Sequence, residues 1–209
     1  MKVIALNGSP RKNGNTAQII GVMLEELQAA GIETEVLHVG AKSMVRGCMA
    51  CGYCATAENN LCVIKDDALN ETGLKIRAAD GFILGSPTYY GGIAGSMKAF
   101  LDRLFFAHSR YFRHKVAAVA TAVRRSGGVE VVHQLHNYLL LSQTITPPSR
   151  YWMAVHGMLE GEAMQDAEGL QVVRENARNM AWLLRLLEAG HDTVAKPAAE
   201  PKVMTNFIR

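Results

Sequence analysis

A short apolar run, Lys2-Val3-Ile4-Ala5-Leu6, leads straight into a polar, glycine-bearing loop and then into a helix-patterned segment. No other stretch constrains the fold as strongly. The run is brief and partly β-branched, as suits a strand buried on both faces of a parallel sheet. From Thr16 to about Ala30, Ile19, Ile20, Met23, Leu24 and Leu27 recur at helical spacing. Leu6 to Thr16 is therefore a strand-to-helix loop at the start of a β-α-β series.

The contents of that loop suggest its use. Gly8 and Gly14 free the backbone, Ser9, Asn13, Asn15 and Thr16 supply polar groups, and Arg11 and Lys12 supply charge. Free N–H groups at a helix start, with hydroxyls beside them, attract an anion. A triphosphate loop would end in Gly-Lys-Ser/Thr, but Asn15 and Thr16 follow Gly14 here. A dinucleotide loop would carry Gly-x-Gly-x-x-Gly, and that spacing is absent. A single terminal phosphate monoester fits the donors. The alternative is an ordinary polar loop before a capped helix.

The β-α rhythm continues. Gly31 closes the first helix, and Thr34 to Val39 reads as strand two. A helix is expected from Asp67 to about Ala79, capped by Asp66, with Leu69, Leu74 and Ile76 inward. Gly81 to Gly85 reads as strand three and Val116 to Val123 as strand four, with Arg150 to Val155 as strand five. Between them lie helices at Ser96 to Ala107 and Val129 to Ser142, and a long one at Leu170 to Leu187. Lys98, Asp102 and Arg103 are assigned to the wet face of their helix, His108 to Lys115 to a solvated connection, and Leu187 to an inward position. The expected fold is α/β: a doubly wound, five-stranded parallel sheet of flavodoxin-like order 2-1-3-4-5, helices on both faces. Residues 1–190 form one domain with a cysteine-rich loop at 47–63, and 191–209 form a tail. The apolar end of the tail, Met204 to Ile208, suits docking on a neighbouring subunit.

All four cysteines fall within fifteen residues, as C-x2-C-x2-C-x7-C at Cys48, Cys51, Cys54 and Cys62. A chain of 209 residues has length for a full core, so a disulfide framework is not needed. Structural zinc ordinarily uses two separated C-x2-C knuckles. Three cysteines at successive x2 intervals match the compact run that holds a [4Fe–4S] cluster, with a fourth ligand returning after a loop. Three readings stay open: iron–sulfur cluster, redox-active or free thiols, and zinc.

Two further loops leave the carboxyl ends of strands. Strand three runs into Ser86-Pro87-Thr88-Tyr89-Tyr90-Gly91-Gly92, where aromatics and flexible backbone could meet a flat heteroaromatic ring. Strand four runs into Arg124-Arg125-Ser126-Gly127-Gly128. In the expected strand order both lie on the face of the phosphate loop, near the switch point between strands one and three. Arg124 or Arg125 could stabilise negative charge on a reduced ring. His133 and His136 are three apart with no third ligand near, which is a weak metal signal. Tyr151 and Trp152 read as core or subunit contact.

Net charge is only +3 and the basic residues are scattered, so no nucleic-acid surface is indicated. No apolar run reaches membrane-spanning length, and with a strand at the start the expected compartment is the cytoplasm.

These three loops on this frame resemble the flavodoxin-like NAD(P)H-dependent FMN reductase family over nearly the whole chain. Gly8-Ser9-Pro10-Arg11 with Asn13, Asn15 and Thr16 is similar to its FMN phosphate loop. Gly85 to Tyr90 is similar to its flavin-ring loop. The cysteine run resembles the iron–sulfur flavoprotein branch, in which FMN and a [4Fe–4S] cluster serve together. The resemblance implies FMN with its phosphate on Ser9, Arg11, Asn13, Asn15 and Thr16. The ring then lies against Pro87, Thr88, Tyr89, Tyr90 and Gly91, and against Arg124, Ser126, Gly127 and Gly128. Cys48, Cys51, Cys54 and Cys62 are the implied metal ligands. It also implies NAD(P)H or a protein donor, and dimers or tetramers. The acceptor is either a small molecule of quinone or flavin type or, for a non-enzymatic electron carrier, another protein. No side-chain acid, base or nucleophile is required.

Overall fold

In a computed structural model, residues 1–40, 45–205 and 207 are described. Strand β1 (Lys2–Asn7) leads into helix α1 (Asn15–Ala29), and β2 (Glu33–His38) returns parallel to β1. The chain then crosses to the other side of β1. Helix α2 (Tyr53–Thr56) is one turn, α3 (Leu69–Ala78) follows, and β3 (Gly81–Tyr89) pairs parallel to β1. A two-residue strand, β4 (Gly92–Ile93), folds back antiparallel on the end of β3. Then come α4 (Gly95–His108), β5 (Val116–Val123), α5 (Gly128–Leu141), β6 (Ala154–His156) and α6 (Ala167–Ala189). The parallel strands run β2-β1-β3-β5-β6, with β4 appended to β3. This is the expected doubly wound order, plus one short antiparallel strand. The reversal between β1 and β3 opens a crevice at their carboxyl ends.

The central strands are apolar because both of their faces are covered. Val3 to Leu6, Phe82 to Leu84 and Val116 to Ala120 are at most 2% exposed. Helices α1 and α6 lie on one face, joined outside by a bidentate Arg178–Glu26 pair. Helices α3, α4 and α5 cover the other, where Phe82, Phe105 and Phe112 cluster with centroids 5.2 to 6.2 Å apart. Among the described residues no helix is long and apolar enough to cross a membrane.

Several expectations need correction. Strand β3 does not stop at Gly85: Ser86 and Pro87 continue the pairing with β5, and Thr88 and Tyr89 pair with β4. The last strand begins at Ala154, later than Arg150, and Tyr151 and Trp152 are exposed. Helix α3 starts at Leu69 with Ala68 as its N-cap. Asp66 pairs with Arg46 instead of capping, and Asp67 accepts from the Leu69 N–H at 3.2 Å while it pairs with Arg103. Leu74 is exposed, and so is Leu187 near the end of α6. Arg103 is not on a wet face, since only 1% of its side chain is exposed. The segment after α4 is not simply solvated either, because His108 and Phe112 are fully buried. Beyond α6 the chain passes Arg113, whose Nη2 donates to the Pro197 and Ala198 carbonyls at 3.1 and 3.4 Å. Of the apolar end expected to dock, Asn206 and Ile208 lie outside the described residues.

Candidate functional site

The loop after β1 is held by its own polar groups. Asn7, buried at the strand end, accepts from the Ser9 N–H at 3.0 Å and donates to the Lys12 carbonyl at 3.0 Å. The Ser9 hydroxyl accepts from the Arg11 N–H at 3.1 Å. Gly40, just past β2, lies so close that a Cβ there would sit 2.3 Å from the Ser9 carbonyl oxygen. Such contacts fix the loop's shape before any ligand arrives. Arg11, Lys12 and Asn13 are exposed at its rim, and no side chain caps the start of α1. Thr16, in the first turn, is 1% exposed, yet its hydroxyl has no partner. A buried, unmatched hydroxyl beside uncapped helix N–H groups fits an anion.

Asn15, the first residue of α1, has a structural role as well. Its Nδ2 donates to the Leu159 carbonyl at 2.9 Å, and its Oδ1 accepts from the Gly161 N–H at 3.0 Å. It therefore ties the loop after β6 to the start of α1, with one Nδ2 hydrogen to spare.

The ring loop is a hairpin. Tyr90 and Gly91 form its two-residue turn, both at positive φ, 51° and 70°. That geometry belongs to a tight type I′ connection, which twists with its strands. Gln134 of α5 clasps the hairpin, accepting from the Ile93 N–H at 3.2 Å and donating to the Gly91 carbonyl at 3.3 Å. The loop after β5 comes directly against it. Gly127, at φ +86°, packs tightly: a Cβ would stand 3.1 Å from the Gly91 Cα and 3.5 Å from the Thr88 methyl. Pro87 and Thr88 are half-buried, and the Thr88 hydroxyl also lacks a partner. Tyr89, Tyr90, Arg124, Arg125 and Ser126 are exposed, while Gly128 is buried at the start of α5. Hairpin and β5 loop are thus brought together, and the Gly8 N–H donates to the Gly85 carbonyl at 2.8 Å, beside them. All three loops crowd the β1–β3 crevice.

A family model described as NADPH-dependent FMN reductase matches residues 1–158. The chain belongs to that family. This FMN reductase family member is 34% identical to an iron-sulfur flavoprotein of Methanocaldococcus jannaschii over 196 residues, 90% of this chain and 100% of the relative. It is 32% identical to an iron-sulfur flavoprotein of Methanosarcina thermophila, over 92% of this chain and 100% of that one. In fold it is similar to the crystal structure of RosB with bound 8-demethyl-8-formylriboflavin-5'-phosphate, at TM-score 0.67 and 19% identity, covering 100% of this chain and 94% of that one.

The family member's cysteines occupy a second place, beside Arg103 and Phe106 of α4. Cys48, Cys51, Cys54 and Cys62 line one cavity with Arg103 and Phe106. Left-handed residues at Ala50 (φ 52°) and Gly52 (φ 73°) curl the run that carries Cys48, Cys51 and Cys54. The seven-residue gap is taken up by α2 and a pinned turn. Asn60 donates to the Cys54 and Ala57 carbonyls at 3.1 and 3.0 Å, and Arg77 donates to the Asn59 and Asn60 carbonyls at 3.0 and 3.2 Å. Asn70 brackets Cys62, accepting from its N–H at 2.8 Å and donating to its carbonyl at 2.9 Å. All four thiols are free; Cys48 and Cys51 are exposed, Cys54 is buried, and Cys62 is between. Burial, then the nearby Cys62 charge, pushes the Cys54 thiol up. Among the described residues no three His, Cys, Asp or Glu side chains close on a single ion. A lone zinc needs its sulfurs about 2.3 Å from one point, whereas a cube of iron and sulfide is ringed by thiolates spread around its faces. The four cysteine residues that border one cavity equal in number the thiolates such a cluster takes.

Arg103, which the helical pattern put on a wet face, lies buried against Cys62 and Asp67 instead. Burial opposes its charge, but Asp67 and the Cys62 sulfur outweigh that and hold its pKa above the ordinary value. His133 is exposed, and His136 turns its Nδ1 to the Val132 carbonyl of its own helix at 2.8 Å.

Proposed function

We propose that this protein is an FMN-dependent oxidoreductase that passes electrons from NAD(P)H or a protein donor to a small acceptor of quinone or flavin type. The observation that carries this reading is the meeting of three prepared loops at the β1–β3 crevice, where Thr16 and Thr88 keep buried hydroxyls without partners. FMN, when bound, supplies the exchange between a two-electron donor and one-electron acceptors. The protein's part is binding and orientation. Thr16, Ser9 and the α1 N-terminus hold the phosphate, with Arg11 and Asn13 at the rim. The Pro87–Gly91 hairpin and the Arg124–Gly128 loop fix the ring, with a cation at Arg124 or Arg125 favouring the reduced, more negative state.

Cys48, Cys51, Cys54 and Cys62 hold a [4Fe–4S] cluster in this proposal. The convergence of all four on one cavity supports it. Helix α4 links the two places: Gly95 follows the ring hairpin, and at 1.5 Å rise per residue Arg103 lies about 12 Å along the axis. A second reading, an electron carrier serving a protein partner, is favoured by one feature. Met49, Tyr53, Val63 and Phe106 form an exposed apolar collar at the cysteines, the sort of surface that marks a macromolecular contact. The chain is proposed to assemble as a homodimer or homotetramer.

The test is an absorption spectrum of anaerobically purified protein, followed by denaturation and steady-state assays. FMN, not FAD, is expected in the supernatant, with NAD(P)H oxidised in the presence of a quinone. Recovery of FAD alone, or of no flavin after incubation with FMN, would overturn the flavin assignment. Bound FMN without turnover of any small acceptor would favour the carrier.

A further inference from the structure

Arg103 spends its whole guanidinium on the cysteine segment. Its Nε and Nη2 donate to the Cys62 sulfur at 3.4 and 3.5 Å. Nη2 also reaches the Ile64 carbonyl at 3.4 Å and Asp67 Oδ1 at 3.3 Å, while Nη1 pairs with Asp67 Oδ2 and donates to the Arg46 carbonyl at 3.3 Å. One side chain thus grips the segment before Cys48 and after Cys62. A planar fork of five donors can do this, and a lysine cannot.

The choice of a sulfur as partner is informative. Burying a guanidinium is costly, and a neutral thiol is a weak acceptor that returns little. A thiolate bound to iron is anionic, and two N–H groups aimed at it form charge-assisted bonds. Hydrogen bonds and charge at cluster sulfurs are among the factors that set a cluster's potential. A cation there favours the reduced form, which carries one more negative charge. Asp67, paired with the same guanidinium, offsets part of that field.

We propose that Arg103 is a positioning residue of the iron–sulfur site: it seats Cys62 as the fourth ligand and, balanced by Asp67, sets the reduction potential of the cluster. This rests on the cluster assignment above. The experiment uses the full chain, anaerobically reconstituted, as wild type and as Arg103→Lys, Arg103→Met and Asp67→Asn. Iron and sulfide per chain, FMN content, and the midpoint potential from an EPR-monitored dithionite titration are measured. Arg103→Lys is expected to keep iron and FMN with a lower midpoint, because charge remains but the paired N–H···S bonds go. Arg103→Met is expected to lose more than half of the iron, or to hold it at a midpoint lower still. Asp67→Asn is expected to shift the midpoint upward, since the opposing carboxylate charge is gone. Opposite shifts from the two partners are not what a general loosening of the loop produces. Iron-loaded variants with wild-type midpoints, or shifts of the same sign for Asp67→Asn and Arg103→Lys, would overturn the proposal. Absence of iron from the reconstituted wild type would remove the cluster assignment itself, and the role of Arg103 with it.

Discussion

The Thr16 hydroxyl is buried without a partner, at the helix end where a phosphate would arrive. An unmatched buried hydroxyl costs about 1–3 kcal/mol, and one bonded to a charged group contributes roughly 1.5–3 kcal/mol. Thr16→Val keeps the shape and removes the oxygen. The flavin-free protein is expected to be as stable as wild type or slightly more so in urea melts. FMN titration is expected to show affinity falling by about tenfold or more. The two changes have opposite sign, so overall damage to the loop cannot imitate them. A variant that binds FMN as well as wild type would take Thr16 out of the phosphate site.

At the scale of elements, close packing decides where loops and helices can meet. Gly127→Ala places a Cβ at positive φ and against the Gly91 backbone. A cost of about 1–2 kcal/mol from the left-handed conformation alone is expected in the unfolding free energy. FMN affinity should fall with it, because hairpin and β5 loop are forced apart. The α3–α4 contact is closer still. Gly73 admits no Cβ, which would lie 2.1 Å from the His108 ring. His108 accepts from Arg77 Nε at 2.9 Å through Nδ1, and burial, then the Arg77 charge, depresses its pKa from 6.5 to about 4. The folded state therefore buries neutral imidazole, while the unfolded chain takes up a proton at about pH 6.5. The associated stability is present above about pH 6.5 and is lost as pH falls toward 4. A difference of about 2.5 pKa units corresponds to roughly 3 kcal/mol at most. Urea midpoints between pH 7.5 and 4.5 should fall more steeply for wild type than for His108→Gln. Equal slopes would mean that His108 titrates normally.

At the scale of the molecule, the open question is what covers its exposed apolar groups. Tyr151, Trp152, Met158, Leu159 and Met164 are exposed around β6 and the turn beyond it, on the carboxyl-end side of the sheet. Under the proposed assembly they are subunit contacts, and the apolar end of the tail, Met204 to Ile208, docks on a neighbour. Sedimentation of the full chain is expected to give a multiple of 22.8 kDa. Ending the chain at Gly190 is expected to shift it toward smaller species while FMN remains bound, since the three flavin loops all precede that point. A full chain that sediments as a monomer would dispose of the assembly.

What the sequence settled by itself was whatever depends on neighbours along the chain. Short continuous apolar runs marked the strands and 3.6-residue spacing the helices, and a strand-loop-helix junction with hydroxyls and cations pointed to the proposed anion site. Cys48, Cys51 and Cys54 declared themselves by spacing. The tertiary fold decided what depends on groups arriving from afar. Arg103 belongs by periodicity to an outward face of α4, but Asp67 and Cys62, 36 and 41 residues away, close over it and bury its charge. Asn15, read in sequence only as a phosphate donor, also holds Leu159 and Gly161, 144 and 146 residues on, through its amide. The seven-residue gap before Cys62 is closed by tertiary contacts: Asn60, Asn70 and Arg77 fold it back to the same cavity. Spacing in sequence gives direction along one element, but it does not say which other element will cover that direction, and burial and hydrogen bonding follow from the covering.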